Sequence, residues 1–144
     1  MKNHFKVSVL GASGRMGSQI IKRVNGSPNM DLHHVVEHRG HNWIGQDCGE
    51  KLLGRVNNVI VTDDLNLALG SADAVIDFST PDTSLECLKI CTHTKTAHII
   101  GTTGFDPSQE SKIDEYAEKA VVVKAGNMSL GINILTSLVE KISS

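Results

Sequence analysis

The residues best able to do chemistry begin with Gly11-Ala12-Ser13-Gly14-Arg15-Met16-Gly17. Before this run, Phe5 to Leu10 is short and apolar and reads as a buried strand; after it, Ser18 to Val24 is amphipathic and reads as a helix. Glycines at a strand-to-helix junction let the backbone turn sharply and approach a ligand closely. The N–H groups of the helix start then face an incoming phosphate, and the helix dipole favours its negative charge. The spacing is G-x-x-G-x-x-G rather than the commoner G-x-G-x-x-G. It would also serve a tight turn whose glycines act in packing only, but the strand before and the helix after favour a nucleotide-binding turn.

A second element is Glu37, at the end of the next strand and about 20 residues beyond the glycines, where a carboxylate can grip both ribose hydroxyls of NAD. A carboxylate there repels the 2′-phosphate of NADP. His38, Arg39 and His41 follow at once, and a cation nearby accommodates that phosphate, although a solvated loop accounts for any one of them at least as well. The mixture predicts use of both NADH and NADPH.

Three further segments stand at later strand ends. Asp77-Phe78-Ser79-Thr80-Pro81 closes a fourth strand, Gly101-Thr102-Thr103-Gly104-Phe105 a fifth, and Ala125-Gly126-Asn127-Met128-Ser129 a sixth. In open α/β sheets ligands bind outside the carboxyl ends of the strands. Gly, Thr, Asn and Ser suit ordinary turns as well. Three such loops on the edge that carries the glycine run favour one shared site.

The elements that must position these residues alternate along the chain. Strands are expected at Val7 to Leu10, Leu32 to Glu37, Val59 to Thr62, Ala74 to Phe78, Ala97 to Ile100 and Val121 to Val123. Several are continuous apolar runs, as in a parallel sheet covered on both faces. Between them, Met16, Ile20, Ile21 and Val24 mark one apolar helix face, and Asp64 to Leu69 forms a short helix. Pro81 to Cys91 starts with a proline, tolerated in a first turn. Asp106-Pro107-Ser108-Gln109 carries an N-cap, a proline at the first helical position and a capping-box partner. Ser129 can cap a last helix containing Ile134, Leu138 and Ile142. His38 to Asn58 has four glycines and little periodicity, and reads mostly as loop. The expected class is α/β: a Rossmann-type, doubly wound parallel sheet of six strands with flanking helices and right-handed crossovers.

Composition narrows the remaining possibilities. The chain has 144 residues, 40% hydrophobic and 21% charged, about one domain's worth with enough core to fold without disulfides. A formal net charge of −2 offers no electrostatic footprint for nucleic acid or an anionic membrane. No apolar run approaches the roughly 20 residues that cross a bilayer. Met1-Lys2-Asn3-His4 leads straight into a strand and leaves no room for a signal peptide. Three cysteines, Cys48, Cys87 and Cys91, fit a reducing cytoplasm. Cys87 and Cys91 share a helix face. That arrangement suits a redox or metal pair, or two small apolar side chains packed beside Leu88; without a second ligand pair at metal-site spacing, packing is the expectation and no metal is expected.

Gly11-Ala12-Ser13-Gly14-Arg15-Met16-Gly17, Asp77-Phe78-Ser79, Gly101-Thr102-Thr103-Gly104-Phe105 and Asn127-Met128-Ser129-Leu130-Gly131-Ile132-Asn133 together resemble dihydrodipicolinate reductases of bacterial lysine biosynthesis, in the family's order and over essentially the whole chain. The last two segments discriminate best from other Rossmann enzymes. The resemblance implies hydride transfer from NADH or NADPH to a cyclic imine-type dicarboxylate, reducing 4-hydroxy-tetrahydrodipicolinate in its dehydrated form to tetrahydrodipicolinate. By position, Gly11, Ala12, Ser13, Gly14, Arg15 and Met16 would hold the pyrophosphate, with backbone donors from Arg15 and Met16. Glu37 would bind the adenosine ribose, with His38 at the place that often assists a 2′-phosphate. Phe78 and Ser79 would lie along the cofactor, Gly101, Thr102 and Thr103 would meet the nicotinamide end, and Ala125, Gly126, Asn127 and Met128 would close the site near a hinge.

The family's substrate domain, with a histidine-pair motif, a lysine and a Ser-Gly-Thr-type segment, has no counterpart here. The adjacent pair His33-His34 falls instead in the second strand, where packing or strand exposure is the expectation. The expected organisation is a dinucleotide-binding domain over residues 1–128 and a hinge helix over 129–144, with no catalytic residue in this chain. Binding of cofactor without turnover is the expected behaviour. A small-molecule dicarboxylate and a homotetramer belong to the full-length enzyme that the resemblance implies. The same residues would equally serve a stand-alone module that senses or signals the NAD(P) pool, or the nucleotide half of another two-domain dehydrogenase.

Overall fold

A computed structural model describes residues 4–125. Eleven elements follow one another: β1 (Phe5–Leu10), α1 (Arg15–Asn25), β2 (Met30–Val36), α2 (Cys48–Leu52), β3 (Val61–Thr62), α3 (Leu65–Leu69), β4 (Ala74–Asp77), α4 (Pro81–Thr94), β5 (Ala97–Ile100), α5 (Pro107–Ala117) and β6 (Val122–Lys124). The six strands form one sheet in the order β3-β2-β1-β4-β5-β6, and every pairing is parallel. The order reverses between β1 and β4, so successive crossovers diverge there and leave a crevice at the strand ends. This is the doubly wound α/β sheet that the alternating pattern predicts. Among the described residues, no helix is long and apolar enough to cross a membrane.

Side chains alternate across the sheet and build a core on each face. On one face Leu10, Val36, Val75 and Ile100 pack with Leu65 and Leu69 of α3, Leu88 of α4 and Ile113 of α5. On the other, Val7, Val9 and Val35 pack with Ile21 and Val24 of α1 and with Cys48 of α2. Ser8 points into the first core, where its hydroxyl donates to the Ala68 carbonyl at 2.7 Å, so this polar side chain breaks an apolar strand without an unpaired group.

Two expectations are corrected and one is refined. Met16 is not on the buried face of α1; it is 49% exposed, and Gly17, Ile21 and Val24 face inward. The helix packs so close at Gly17 that a Cβ there would sit 2.0 Å from the Gly11 carbonyl oxygen, which leaves no room for a side chain as large as Met. The His38 to Asn58 stretch is mostly loop, as read, but it also holds the short helix α2 and a turn structure built on one side chain. Asp47 accepts from the N–H of Glu50 as N-cap, and also from Asn57 and Asn58, pinning both ends of the segment. Five residues show too little periodicity for a helical signal. Finally, β3 is only Val61–Thr62, since Ile60 leaves the parallel ladder to bridge Asp47 in antiparallel fashion.

One irregularity bears on the site. Val7 pairs Leu32 but Val9 pairs Val35, so β2 carries one extra residue at His33-His34. The bulge sets the two rings edge to face, 4.3 Å between centroids, and His33 Nε2 meets the Ser71 hydroxyl at 2.8 Å. Beyond the bulge Val36 pairs Leu10, which brings Glu37 level with the glycine turn.

Candidate functional site

Strand register places the chemical residues in one row. Leu10 pairs Val36 on one side and Asp77 on the other; Asp77 pairs Ile100, and Ile100 pairs Lys124. The residues that follow these are Glu37, Gly11, Phe78, Gly101 and Ala125, so five strand ends open onto one edge. A cleft of about 880 Å³ lies there, lined by Gly11, Ser13, Gly14, Glu37, His38, Arg39, Asp64, Ser79 and Thr80 among others.

The glycine turn has two different kinds of glycine. Gly11 adopts φ +73°, and a Cβ on it would lie 2.4 Å from the Phe78 carbonyl oxygen; with Gly17 it lets turn, helix and strand end meet backbone to backbone. Gly14 is spacious by comparison, its nearest neighbour being the Gly11 oxygen at 3.2 Å from a Cβ. Ala12 is fully buried and turns its methyl into the core beside Ile21, so only its backbone faces the turn. Ser13, Gly14, Arg15 and Met16 are exposed.

The start of α1 differs from those of the other described helices. Asp47, Asp64, Thr80 and Asp106 cap α2, α3, α4 and α5 with side-chain oxygens. Gly14 is the N-cap of α1, and no side chain caps it. A helix start needs partners for its first N–H groups. Here the N–H groups of Arg15 and Met16 stand as open donors just after Gly14, which lines the cleft, at the positive end of the helix dipole. This donor set, with room at Gly14, fits a pyrophosphate.

Glu37 is 8% exposed at the floor of the same cleft. One carboxylate oxygen accepts from the Ser13 N–H at 2.6 Å and the other from the His38 N–H at 3.2 Å. The carboxylate therefore ties the end of β2 to the glycine turn, while each oxygen keeps a further lone pair for a ligand hydroxyl. Arg39 and His38 are exposed on the rim, beside Asp63 and Asp64. Ligand atoms of Glu37, His38 and His41 come within 4.8 Å of one another, but Glu37 is already engaged by two backbone donors.

At the other end, the far end of the Phe78 ring abuts Gly101, where a Cβ would come within 2.2 Å of Cζ. Asp77 organises this region from below and was not among the expected site residues. Its Oδ1 accepts from the Ser79 N–H at 2.9 Å and from the Thr102 hydroxyl at 3.2 Å; its Oδ2 faces His98 Nε2 at 3.0 Å. Asp77 and His98 are both fully buried. Burial alone would push the Asp77 carboxyl up, but the hydrogen bonds from His98 and Ser79 outweigh it and hold the group below the ordinary range. The Asp-x-Ser spacing hints at the Ser79 contact; the His98 contact exists only through the pairing of β4 with β5.

Thr102 is buried and its hydroxyl also meets the Ser79 N–H at 3.0 Å, whereas Thr103 is exposed. Phe105 packs on the core with Lys124 Nζ 4.9 Å from its ring centre, which anchors the segment after Gly101. Ala125 donates its N–H to the Ile100 carbonyl at 3.4 Å. Gly126, Asn127 and Met128 lie outside the described residues, as do the expected hinge helix and the boundary at 128.

The family model described as dihydrodipicolinate reductase, N-terminus, matches residues 5–128. The 4-hydroxy-tetrahydrodipicolinate reductase of Ruegeria sp. (strain TM1040) is 42% identical over 138 residues, 96% of this chain and 51% of the relative. That of Dinoroseobacter shibae is 44% identical over the same length and shares. Among solved structures, dipicolinate-bound dihydrodipicolinate reductase from Paenisporosarcina sp. TG-14 superposes with a TM-score of 0.69 at 24% identity, covering 89% of this chain and 49% of that one. An amine dehydrogenase from Mycobacterium smegmatis shares the fold with the same TM-score at 21% identity, over 88% of this chain and 40% of that one. The chain thus spans about half the length of the curated relatives it matches. With a family model covering most of its length, the chain belongs to the dihydrodipicolinate reductase family, through that family's N-terminal part.

Proposed function

We propose that this chain holds the hydride donor, NADH or NADPH, for reduction of a cyclic unsaturated dicarboxylate, as in conversion of 4-hydroxy-tetrahydrodipicolinate to tetrahydrodipicolinate. The observation that carries the reading is the uncapped start of α1 at the point where strand order reverses, in a chain whose other described helices all have side-chain caps. When bound, the nicotinamide supplies the hydride. Arg15 and Met16 offer N–H donors to the pyrophosphate, and Gly11, Ala12, Ser13 and Gly14 keep the backbone close to it. Glu37 accepts from the adenosine ribose hydroxyls. Arg39 offers positive charge, and His38 a hydrogen-bonding ring, to a 2′-phosphate when NADPH enters.

Phe78, Ser79, Gly101, Thr102 and Thr103 would border the nicotinamide end, with Ala125 and the segment Gly126 to Met128 closing it. No residue of this chain is assigned as proton donor or as binder of the dicarboxylate. Cofactor binding without turnover is therefore the proposed behaviour of the chain alone, with residues 1–128 as the dinucleotide-binding domain and 129–144 as a hinge. Titrating the protein into NADH and following nicotinamide emission tests this. A saturable rise that NADPH competes away is expected; emission that stays at the level of free NADH throughout would contradict the reading.

A further inference from the structure

Beneath the strand-end row lies a buried cluster that the cofactor site does not use. Cys87 and Cys91 stand one turn apart on the inner face of α4, and His98 faces them from β5; all three are fully buried. The two thiols and one ring nitrogen of His98 lie within 4.8 Å of one another. Sequence spacing leaves the cysteines as an isolated pair, because the third donor comes from another element.

One ring nitrogen of the histidine is left open for ligation. Asp77 accepts the Nε2 proton at 3.0 Å, which turns Nδ1 away from it. Nδ1 is buried and has no hydrogen-bond partner. A buried nitrogen left without a partner is costly and rare, and it asks for an explanation. Metal-ligating histidines regularly pass their other N–H to a carboxylate, the relation that Asp77 has to His98.

The donor set also matches in softness and charge. Two thiolates and an imidazole suit Zn²⁺ and its softer analogues rather than oxygen-seeking cations. A divalent ion with two thiolates is neutral, which suits a site closed to water. Without an ion, the neighbouring Cys91 thiol and burial push the Cys87 thiol far above its ordinary value, so it is protonated and a poor nucleophile. On ligation each S–H proton leaves to solvent as its S–metal bond forms; two protons are released per ion and no electrons are transferred. Ligand bonds of about 2.0–2.3 Å imply ligand separations of roughly 3.5–3.8 Å, so the cluster needs to close by at most about an ångström.

We propose that Cys87, Cys91 and His98 Nδ1 form a binding site for Zn²⁺ or a similar soft divalent ion, separate from the cofactor cleft. The ion would clamp α4 to β5 and fix His98. Through Asp77 it would steady Ser79 and Thr102 at the mouth of the cleft.

Because the site is closed, the test supplies zinc during expression, then measures bound metal after gel filtration. About one zinc per chain is expected. Growth on Cd²⁺ instead should give a thiolate-to-cadmium charge-transfer absorption. That band should vanish in Cys87→Ala and Cys91→Ala, persist in Cys48→Ala, and in His98→Gln survive with at least a tenfold loss of affinity. X-ray absorption at the zinc edge of the unmodified protein needs no variant: two sulfur neighbours at about 2.3 Å and a nitrogen at about 2.0 Å are expected. Folded protein without zinc, a zinc shell of oxygen and nitrogen only, or a cadmium band that depends on Cys48 would each overturn the proposal.

Discussion

At the scale of residues, the glycine run divides its labour, and mutation can separate the parts. Gly17 and Gly11 are pressed against backbone, with a Cβ at 2.0 Å from the Gly11 oxygen and 2.4 Å from the Phe78 oxygen respectively. Gly14 has ordinary dihedrals and more space. Gly14→Val should therefore fold with a loss within about 1 kcal/mol of stability, the scale of an N-cap change, yet lose at least about tenfold in NADH affinity by crowding the pyrophosphate. Gly17→Val should instead cost about 4 kcal/mol or more, the range of backbone clashes in a core. Chemical denaturation and dinucleotide titration of both variants check this; equal stabilities, or an unchanged affinity in Gly14→Val, would contradict it. The rim of the cleft carries a second pair of outcomes. Glu37→Ala should weaken NADH more than NADPH, and Arg39→Ala should do the reverse, each by about 1–3 kcal/mol. Titration of each variant with both dinucleotides reads the difference, and equal losses for the two would remove Glu37 and Arg39 as readers of the ribose end. The run was legible in the sequence because it sits between strong local patterns. Its division into packing and binding glycines was not, since that depends on Phe78, which lies 67 residues from Gly11.

At the scale of elements, each of the six strands lies where an apolar run predicted one, and β5 is Ala97–Ile100 as read. Capping carried similar weight: Asp106 accepts from Gln109 and the Gln109 side chain reaches back, the reciprocal pair expected from the four residues. What escaped the sequence was tertiary in origin. Helix α2 depends on Asp47 holding Asn57 and Asn58 ten and eleven residues away. The β2 bulge has no signature at His33-His34 beyond two polar residues in a strand. That bulge makes a pH prediction. Burial lowers the pKa of both histidines below the ordinary 6.5, helped at His33 by His34 and Lys6. The folded state then binds fewer protons than the unfolded one just below that value. Their contribution to stability is complete above about pH 6.5 and is lost as pH falls through the lowered folded values. Urea midpoints taken from about pH 8 down to pH 5 should fall across that window. The double variant His33→Gln, His34→Gln should have a flatter profile; a wild-type midpoint that rises on acidification would refute the assignment.

At the scale of the whole molecule, the sheet order and the row of strand ends explain why residues scattered from Gly11 to Ala125 can meet one elongated ligand. β1 and β4 diverge their crossovers, the glycine turn stands at that divergence, and Glu37 and Gly101 flank it on neighbouring strands. The chain matches the family's N-terminal part and has about half the length of its curated relatives; on the proposed reading that part is the cofactor cradle. On the same reading, this chain alone oxidises neither dinucleotide when the dicarboxylate is added, which an absorbance assay for the reduced nicotinamide checks. The central claim is that the cradle is competent as it stands. Isothermal titration of the purified chain with NADH, and in parallel with NADPH, tests it most directly. One saturable site per chain with a Kd below about 1 mM is expected for both dinucleotides; no heat of binding for either at millimolar concentration, from protein shown to be folded, would refute it.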